Sequence, residues 1–267
     1  MTDPSPLQSW LTARKRARDQ GPGGPLLMSH LVLGHPSLEE NDRVIDAMVA
    51  AGVDIMELQI PFSEPIADGP VIARANQSAL DGGFRVASAF DMLARATRRH
   101  PIPFLIMTYY NILHAYGVDA FIRDAAEAGV RGFIVPDLPM EKAQEAMDLC
   151  EEQGLAWIQL FTPTTPEARL QKLGSRGRGL VYCVARKGVT GKDTQFEDQS
   201  LRDYLAQCRR STDVPLAVGF GVSNREDVET LERLGADIAV VGTAAIRVHQ
   251  EQGAEAVEGF FRGLKPE

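Results

Sequence analysis

Short apolar runs alternate along this chain with longer amphipathic stretches. The runs at 26–33, 54–60, 104–108, 132–135, 156–160, 180–184, 216–218 and 238–241 predict strands, being rich in Val, Ile, Leu and Phe and bounded by turn residues. Between them, 38–51, 86–99, 118–128, 141–153, 167–173, 201–208 and 225–234 carry helical spacing of apolar positions. Several of these helices run into a glycine, at Gly52, Gly129, Gly154 and Gly235, and a strand follows soon after. Ser223-Asn224-Arg225-Glu226 supplies an N-cap signal for the last. Eight strand–helix alternations imply a parallel sheet, and eight is the number that closes into a TIM barrel. The expected fold is therefore α/β, a single TIM (β/α)8 barrel. The amphipathic segment 7–18 adds a short extra N-terminal helix, and Gly21-Pro22-Gly23-Gly24-Pro25 breaks the chain after it. On this reading residues 1–25 form a helix and a Gly/Pro segment, and 26–267 form one barrel domain with no linker. A doubly wound open sheet is the alternative, but Leu33-Gly34-His35-Pro36 after the first strand is not its glycine fingerprint.

Composition narrows the class. A chain of 267 residues with 44% hydrophobic and 24% charged residues has the balance of a globular protein. Its net charge of −8 opposes binding to nucleic acid or an anionic membrane. Cys150, Cys183 and Cys208 lack C-x-x-C spacing, which favours reduced thiols. The five histidines show no metal-ligand pairing, so no metal site is expected. No long apolar run or secretory leader is seen, and the expected location is the cytoplasm.

Candidate chemistry centres on Glu57-Leu58-Gln59-Ile60-Pro61-Phe62-Ser63-Glu64-Pro65-Ile66-Ala67-Asp68-Gly69-Pro70. Strand alternation puts Met56, Leu58 and Ile60 on one face and Ile55, Glu57 and Gln59 on the other. An apolar outer face and a carboxylate on the inner one suit a barrel strand coated by helices. Pro61 and Pro65 hold an extended loop that returns Asp68 towards the strand end. Two such acids form a candidate acid/base pair, though acids at strand ends are also commonly ion-paired or solvated. Across the barrel, Gly219-Phe220-Gly221 and Gly242-Thr243-Ala244 follow the last two strands, where barrels often bind phosphate through backbone N–H groups. Lys187 and Lys192 are candidates to neutralise its charge.

The segment P-F-S-E-P-I-A-D-G-P after a Glu-bearing strand resembles the signature of the tryptophan synthase alpha subunit family, and the resemblance extends from about Leu31 to Arg247. The resemblance implies reversible aldol cleavage of indole-3-glycerol phosphate to indole and D-glyceraldehyde 3-phosphate. Indole would then pass to a PLP-containing beta subunit in an α-β-β-α complex. It makes Glu57 the general acid/base and Asp68 the partner of the indole N–H. It also implies an indole pocket of Met107, Tyr109, Leu160, Tyr182 and Phe220, a lid carrying Thr190, and a phosphate site of Gly191, Gly221, Gly242 and Thr243. No cofactor is implied for this chain.

Four positions depart from the family pattern. Gln59 stands where glycine is usual and, on the inward face, would narrow the pocket or hydrogen-bond the Glu57 carboxylate. His35 interrupts the usual G-D-P, Glu64 replaces a common Asp in the partner-facing loop, and Thr243 replaces a usual serine. These leave room for two variants, a stand-alone lyase releasing free indole or a weakly active allosteric subunit. A different phosphate-sugar barrel, such as an epimerase, fits the loop motif poorly.

Overall fold

The computed structural model describes residues 5–21, 23–185, 199–219 and 221–265. Helix α1 (Pro6–Asp19) comes first, capped by the Ser5 hydroxyl, which accepts from the Gln8 N–H at 3.2 Å. The barrel then begins with β1 (Leu26–Val32), α2 (Leu38–Ala50) and β2 (Ile55–Gln59). Helices α3 (Pro70–Asp81) and α4 (Val86–Arg99) lead to β3 (Phe104–Met107). After it come α5 (Tyr110–Tyr116), α6 (Val118–Glu127), β4 (Gly132–Ile134) and α7 (Gln144–Glu152). The second half contains β5 (Ala156–Trp157), β6 (Gln159–Phe161), α8 (Glu167–Gly174), β7 (Val181–Val184) and α9 (Gln199–Ser211). It ends with β8 (Leu216–Gly219), α10 (Arg225–Arg233), β9 (Ile238–Val241), α11 (Thr243–Gln252) and α12 (Ala254–Leu264).

Neighbouring strands pair in parallel, in the order β5-β4-β3-β2-β1-β9-β8-β7-β6. Only Ile158 separates β5 from β6, and its N–H still donates to Phe133 O at 2.9 Å. One extended segment thus pairs with β4 through its first half and with β7 through its second. This joins the two ends of the sheet and brings the nine described strand segments to eight positions round a parallel barrel, the expected architecture.

Side-chain parity sorts the two cores as anticipated. Leu27, Leu31, Met56, Leu58 and Ile60 belong to the outer layer between strands and helices. Leu26, Met28, Ile55, Leu105, Ile134, Ile158, Ala217 and Ile238 fill the interior. Leu7 and Leu11 of α1 join that interior cluster, so the N-terminal helix plugs the end where the strands begin. A buried ion cluster fastens it there. Asp54, its side chain fully buried, accepts from Arg14 Nε and Arg18 Nη2, both at 2.8 Å, and from the Leu27 N–H at 3.0 Å. Spreading one carboxylate over three donors offsets the cost of burying its charge.

Among the described residues, four helices lie outside the anticipated set: α3, α5, α11 and α12. Of these, α3 matters most for the site. Pro70 occupies its first turn, where a missing N–H costs nothing, and its buried stripe runs from Val71 through Ala75 and Asn76 to Ala79.

Candidate active site

At the carboxyl ends of the strands a cavity of about 200 Å³ opens into the barrel mouth. The inner faces of β1 and β2 contribute His30 and Glu57, and the loop after β2 contributes Asp68. Met107, Ile134, Leu160, Val184 and Val240 give it apolar walls, with Tyr182 on β7. Gly219, Gly221, Gly242 and Thr243 close the side formed by the last two strands. A larger cleft of about 440 Å³ lies near the opposite end of the barrel, between the start of α1 and the segments that precede β5 and β7. It has none of these acids and none of the glycine strand ends.

Glu57 is buried, and its Oε1 lies 3.0 Å from His30 Nδ1. The contact follows from strand register, because His30 and Glu57 are Cα partners across β1 and β2. Glu57 Oε2 and His30 Nε2 are buried without a hydrogen-bond partner among the described residues. Burial, the largest single effect, opposes charge on the imidazole, but Glu57, with Asp68 and Gln59 adding to it, holds His30 above its ordinary value.

Asp68 is braced differently. Its Oδ2 accepts from Gln59 Nε2 at 2.7 Å and from the Tyr109 hydroxyl at 3.2 Å. Burial raises its carboxyl group above the usual range, against the lowering effects of Gln59, His30 and Tyr109. Gln59 is wholly buried and faces inward as strand parity requires. Its amide holds Asp68 and not Glu57, which revises the expected hydrogen bond to Glu57. The same Nε2 lies 3.3 Å from Asn76 Oδ1, which also accepts from the Phe62 N–H at 2.9 Å. Asn76 in turn donates to Ile72 O at 2.9 Å, so α3 sets the path of loop two through one amide side chain.

Tyr109 stands behind this wall and is not among the cavity-lining residues. Its ring stacks on Phe62 with centroids 5.1 Å apart, and its hydroxyl accepts from the Ala67 N–H at 3.1 Å. Burial and the adjacent Asp68 keep that phenol neutral far into the alkaline range. Tyr182 is likewise held protonated, first by burial and then by Glu57 and Asp68.

Of the residues anticipated for the site, Glu57, Asp68, Met107, Leu160, Tyr182, Gly221, Gly242 and Thr243 meet at one cavity. Thr190, Gly191 and Phe220, together with Lys187 and Lys192, lie outside the described residues. His30 was not anticipated. The signal was present, since it alternates with Leu26 and Met28 on the inner face of β1, but a lone histidine in an apolar run gave no partner.

Backbone glycine shapes the phosphate side. Gly221 has φ of 74°, and a Cβ at Gly219 would lie 2.9 Å from the Tyr182 hydroxyl. Gly242 and Thr243 are where β9 passes into α11, so the first N–H groups of that helix face the cavity end of the barrel. Such donors suit an anion.

Fold and cavity together define an α/β-barrel enzyme whose cavity opens at the carboxyl ends of the strands, with acids on one wall and glycine strand ends on another. Residues 17–262 match the family model described as tryptophan synthase alpha chain. The tryptophan synthase alpha chain of Syntrophotalea carbinolica is 53% identical over 240 residues, covering 90% of this chain and 94% of the relative. That of Desulforapulum autotrophicum is 49% identical over 258 residues, covering 97% and 99%. A Mycobacterium tuberculosis tryptophan synthase structure superposes with a TM-score of 0.88 at 32% identity, over 98% of both chains. The chain belongs to the tryptophan synthase alpha chain family. It is the alpha subunit of that complex, and its reaction is the aldolytic cleavage of indole-3-glycerol phosphate. No described helix is long and apolar enough to cross a membrane.

Proposed function

We propose that Glu57 is the general acid and base of the cleavage and that Asp68 stabilises the indole ring as it becomes cationic. The observation that carries this reading is the meeting of both carboxyl groups and the glycine strand ends at one cavity. Cleaving the bond between indole C3 and the side chain requires a proton at C3 and the loss of one from the side-chain hydroxyl. Glu57 Oε2, without a partner among the described residues, is the atom for both transfers in turn. Protonation at C3 turns the ring into an indolenine with positive charge at nitrogen. Gln59 and Tyr109 both donate to Asp68 Oδ2, which leaves Oδ1 to accept the N–H and lower that state in energy.

Met107, Leu160 and Tyr182 provide the apolar surface against which the indole lies, with Tyr109 acting on it through Asp68. Gly221, Gly242 and Thr243 hold the phosphate by backbone N–H groups and the N-terminus of α11. Both proton transfers are met by side chains, so the step needs no cofactor in this chain. The indole goes on to a beta subunit carrying PLP in an α-β-β-α assembly. Loop two is the docking surface on this side. Phe62 is spent on Tyr109, whereas Ile66, 78% exposed, is free to meet a partner.

Asp68→Asn tests the division of labour. Indole release should fall about a hundredfold to a thousandfold, as when a charge-stabilising group is lost, while substrate binding by calorimetry changes far less. Turnover close to wild type would remove Asp68 from the mechanism.

A further inference from the structure

Catalysis by Glu57 and Asp68 alone leaves His30 without a role, although it shares their cavity. His30 is 5% exposed and Glu57 3%, their Nδ1 and Oε1 atoms are 3.0 Å apart, and adjacent strand register holds them side by side. A histidine–carboxylate pair serving only packing would have its remaining polar atoms satisfied, since a buried polar group left unpaired costs free energy. Here Nε2 and Oε2 both lack partners among the described residues, and both side chains line the cavity. A Cβ at Gly242, just past β9, would come within 3.4 Å of the His30 Cβ, so bare backbone faces His30 there.

The charges around His30 sharpen the point. Glu57 faces it from β2, Asp68 and Gln59 from β2 and its loop, and Tyr182 lies on β7 across the cavity. Among the described residues that line this cavity, His30 alone can carry positive charge, against two carboxyl groups.

We propose that His30 is a positioning residue that shares one proton with Glu57, so that the pair, and not a lone carboxyl group, is the acid and base of the cleavage. Moved from His30 to Glu57, the proton makes the carboxyl group the acid that protonates C3. Glu57 is then an anion beside a neutral imidazole and takes the hydroxyl proton, which the pair shares in turn. One proton leaves the pair for C3 and one returns from the hydroxyl as the carbon–carbon bond breaks, so the pair ends as it began. The raised proton affinity of His30, set by Glu57 against the opposing effect of burial, fits this sharing. The proposal rests on Glu57 being the acid/base group.

The test combines a titration with kinetics. NMR of histidine-labelled wild type and Glu57→Gln, with the His30 signal assigned from its absence in His30→Asn, reads the coupling directly. His30 should titrate above the ordinary 6.5 in wild type and shift downward in Glu57→Gln, because burial then acts with less opposition. An unchanged titration would overturn the shared proton, whichever residue Glu57→Gln turnover assigns as the acid. In kinetics on indole-3-glycerol phosphate, His30→Phe keeps ring bulk and loses both nitrogens. It should lower kcat about a hundredfold with KM kept within about threefold, and remove one limb of the kcat–pH profile. His30→Asn, with a donor near the Nδ1 position, should recover part of kcat without recovering that limb. Wild-type kcat and pH profile in His30→Phe would overturn the proposal, and the titration of wild type and Glu57→Gln decides it if that variant fails to fold.

Discussion

Gln59 Nε2 donates to Asp68 Oδ2 at 2.7 Å, tying the end of a barrel strand to an acid nine residues further along a loop. Loop two is thereby held at both flanks, by Gln59 below and by the Tyr109 hydroxyl beside it. The position where the family pattern has glycine has become a brace for the second carboxylate.

Gln59→Leu keeps the volume and removes the brace. A hydrogen bond to the charged form lowers a carboxyl pKa, so its loss should raise that of Asp68 further. The acid-side fall in kcat/KM should therefore move to higher pH, with activity near neutrality down about tenfold, the scale of one lost charge-assisted hydrogen bond. An unmoved acid limb would show that Asp68 does not depend on Gln59.

Asp54→Ala concerns stability alone. It strands Arg18, whose side chain is 11% exposed, and unties α1 from the start of β1. Removing one partner of a buried ion pair costs about 3 kcal/mol, to be read from urea denaturation. Indole release by the folded protein should stay near wild type, because the cluster sits at the opposite end of the barrel from the cavity. A loss below about 1 kcal/mol would mark it as a surface-like pair.

The pH dependence of stability carries the signature of His30. Its folded-state proton affinity is raised above the unfolded value, so the folded protein holds a proton that the unfolded chain releases. The resulting stabilisation is fully present below about pH 6.5 and is lost as pH rises through the higher folded value. His30→Asn should flatten the denaturation midpoint across that window relative to wild type. Parallel profiles for the two proteins would contradict the shift.

How much of this was legible in the chain depended on whether local pattern or tertiary register decided it. Strand parity separated Met56, Leu58 and Ile60 from Ile55, Glu57 and Gln59, and the helices ending in glycine marked the repeats. Helix α3 escaped because Gly69-Pro70 looks like loop and, past Val71, its buried face is made of Ala75, Asn76 and Ala79, too small or too polar to stand out as an apolar stripe. Gln59 was seen to face inward, but its choice of Asp68 over Glu57 depends on how loop two folds back. Tyr109 sits at the end of β3, yet its hydroxyl meets residues 67 and 68, a relation no spacing encodes. His30 was hidden for the same reason, since its pairing with Glu57 arises from the alignment of two strands.

The most direct measurement is indole release from indole-3-glycerol phosphate by Glu57→Gln. The swap preserves shape and removes the group that gives and takes the proton. The account predicts turnover lower by about a thousandfold or more, with the melting temperature and substrate affinity close to wild type. Near-wild-type turnover by the folded variant would contradict it.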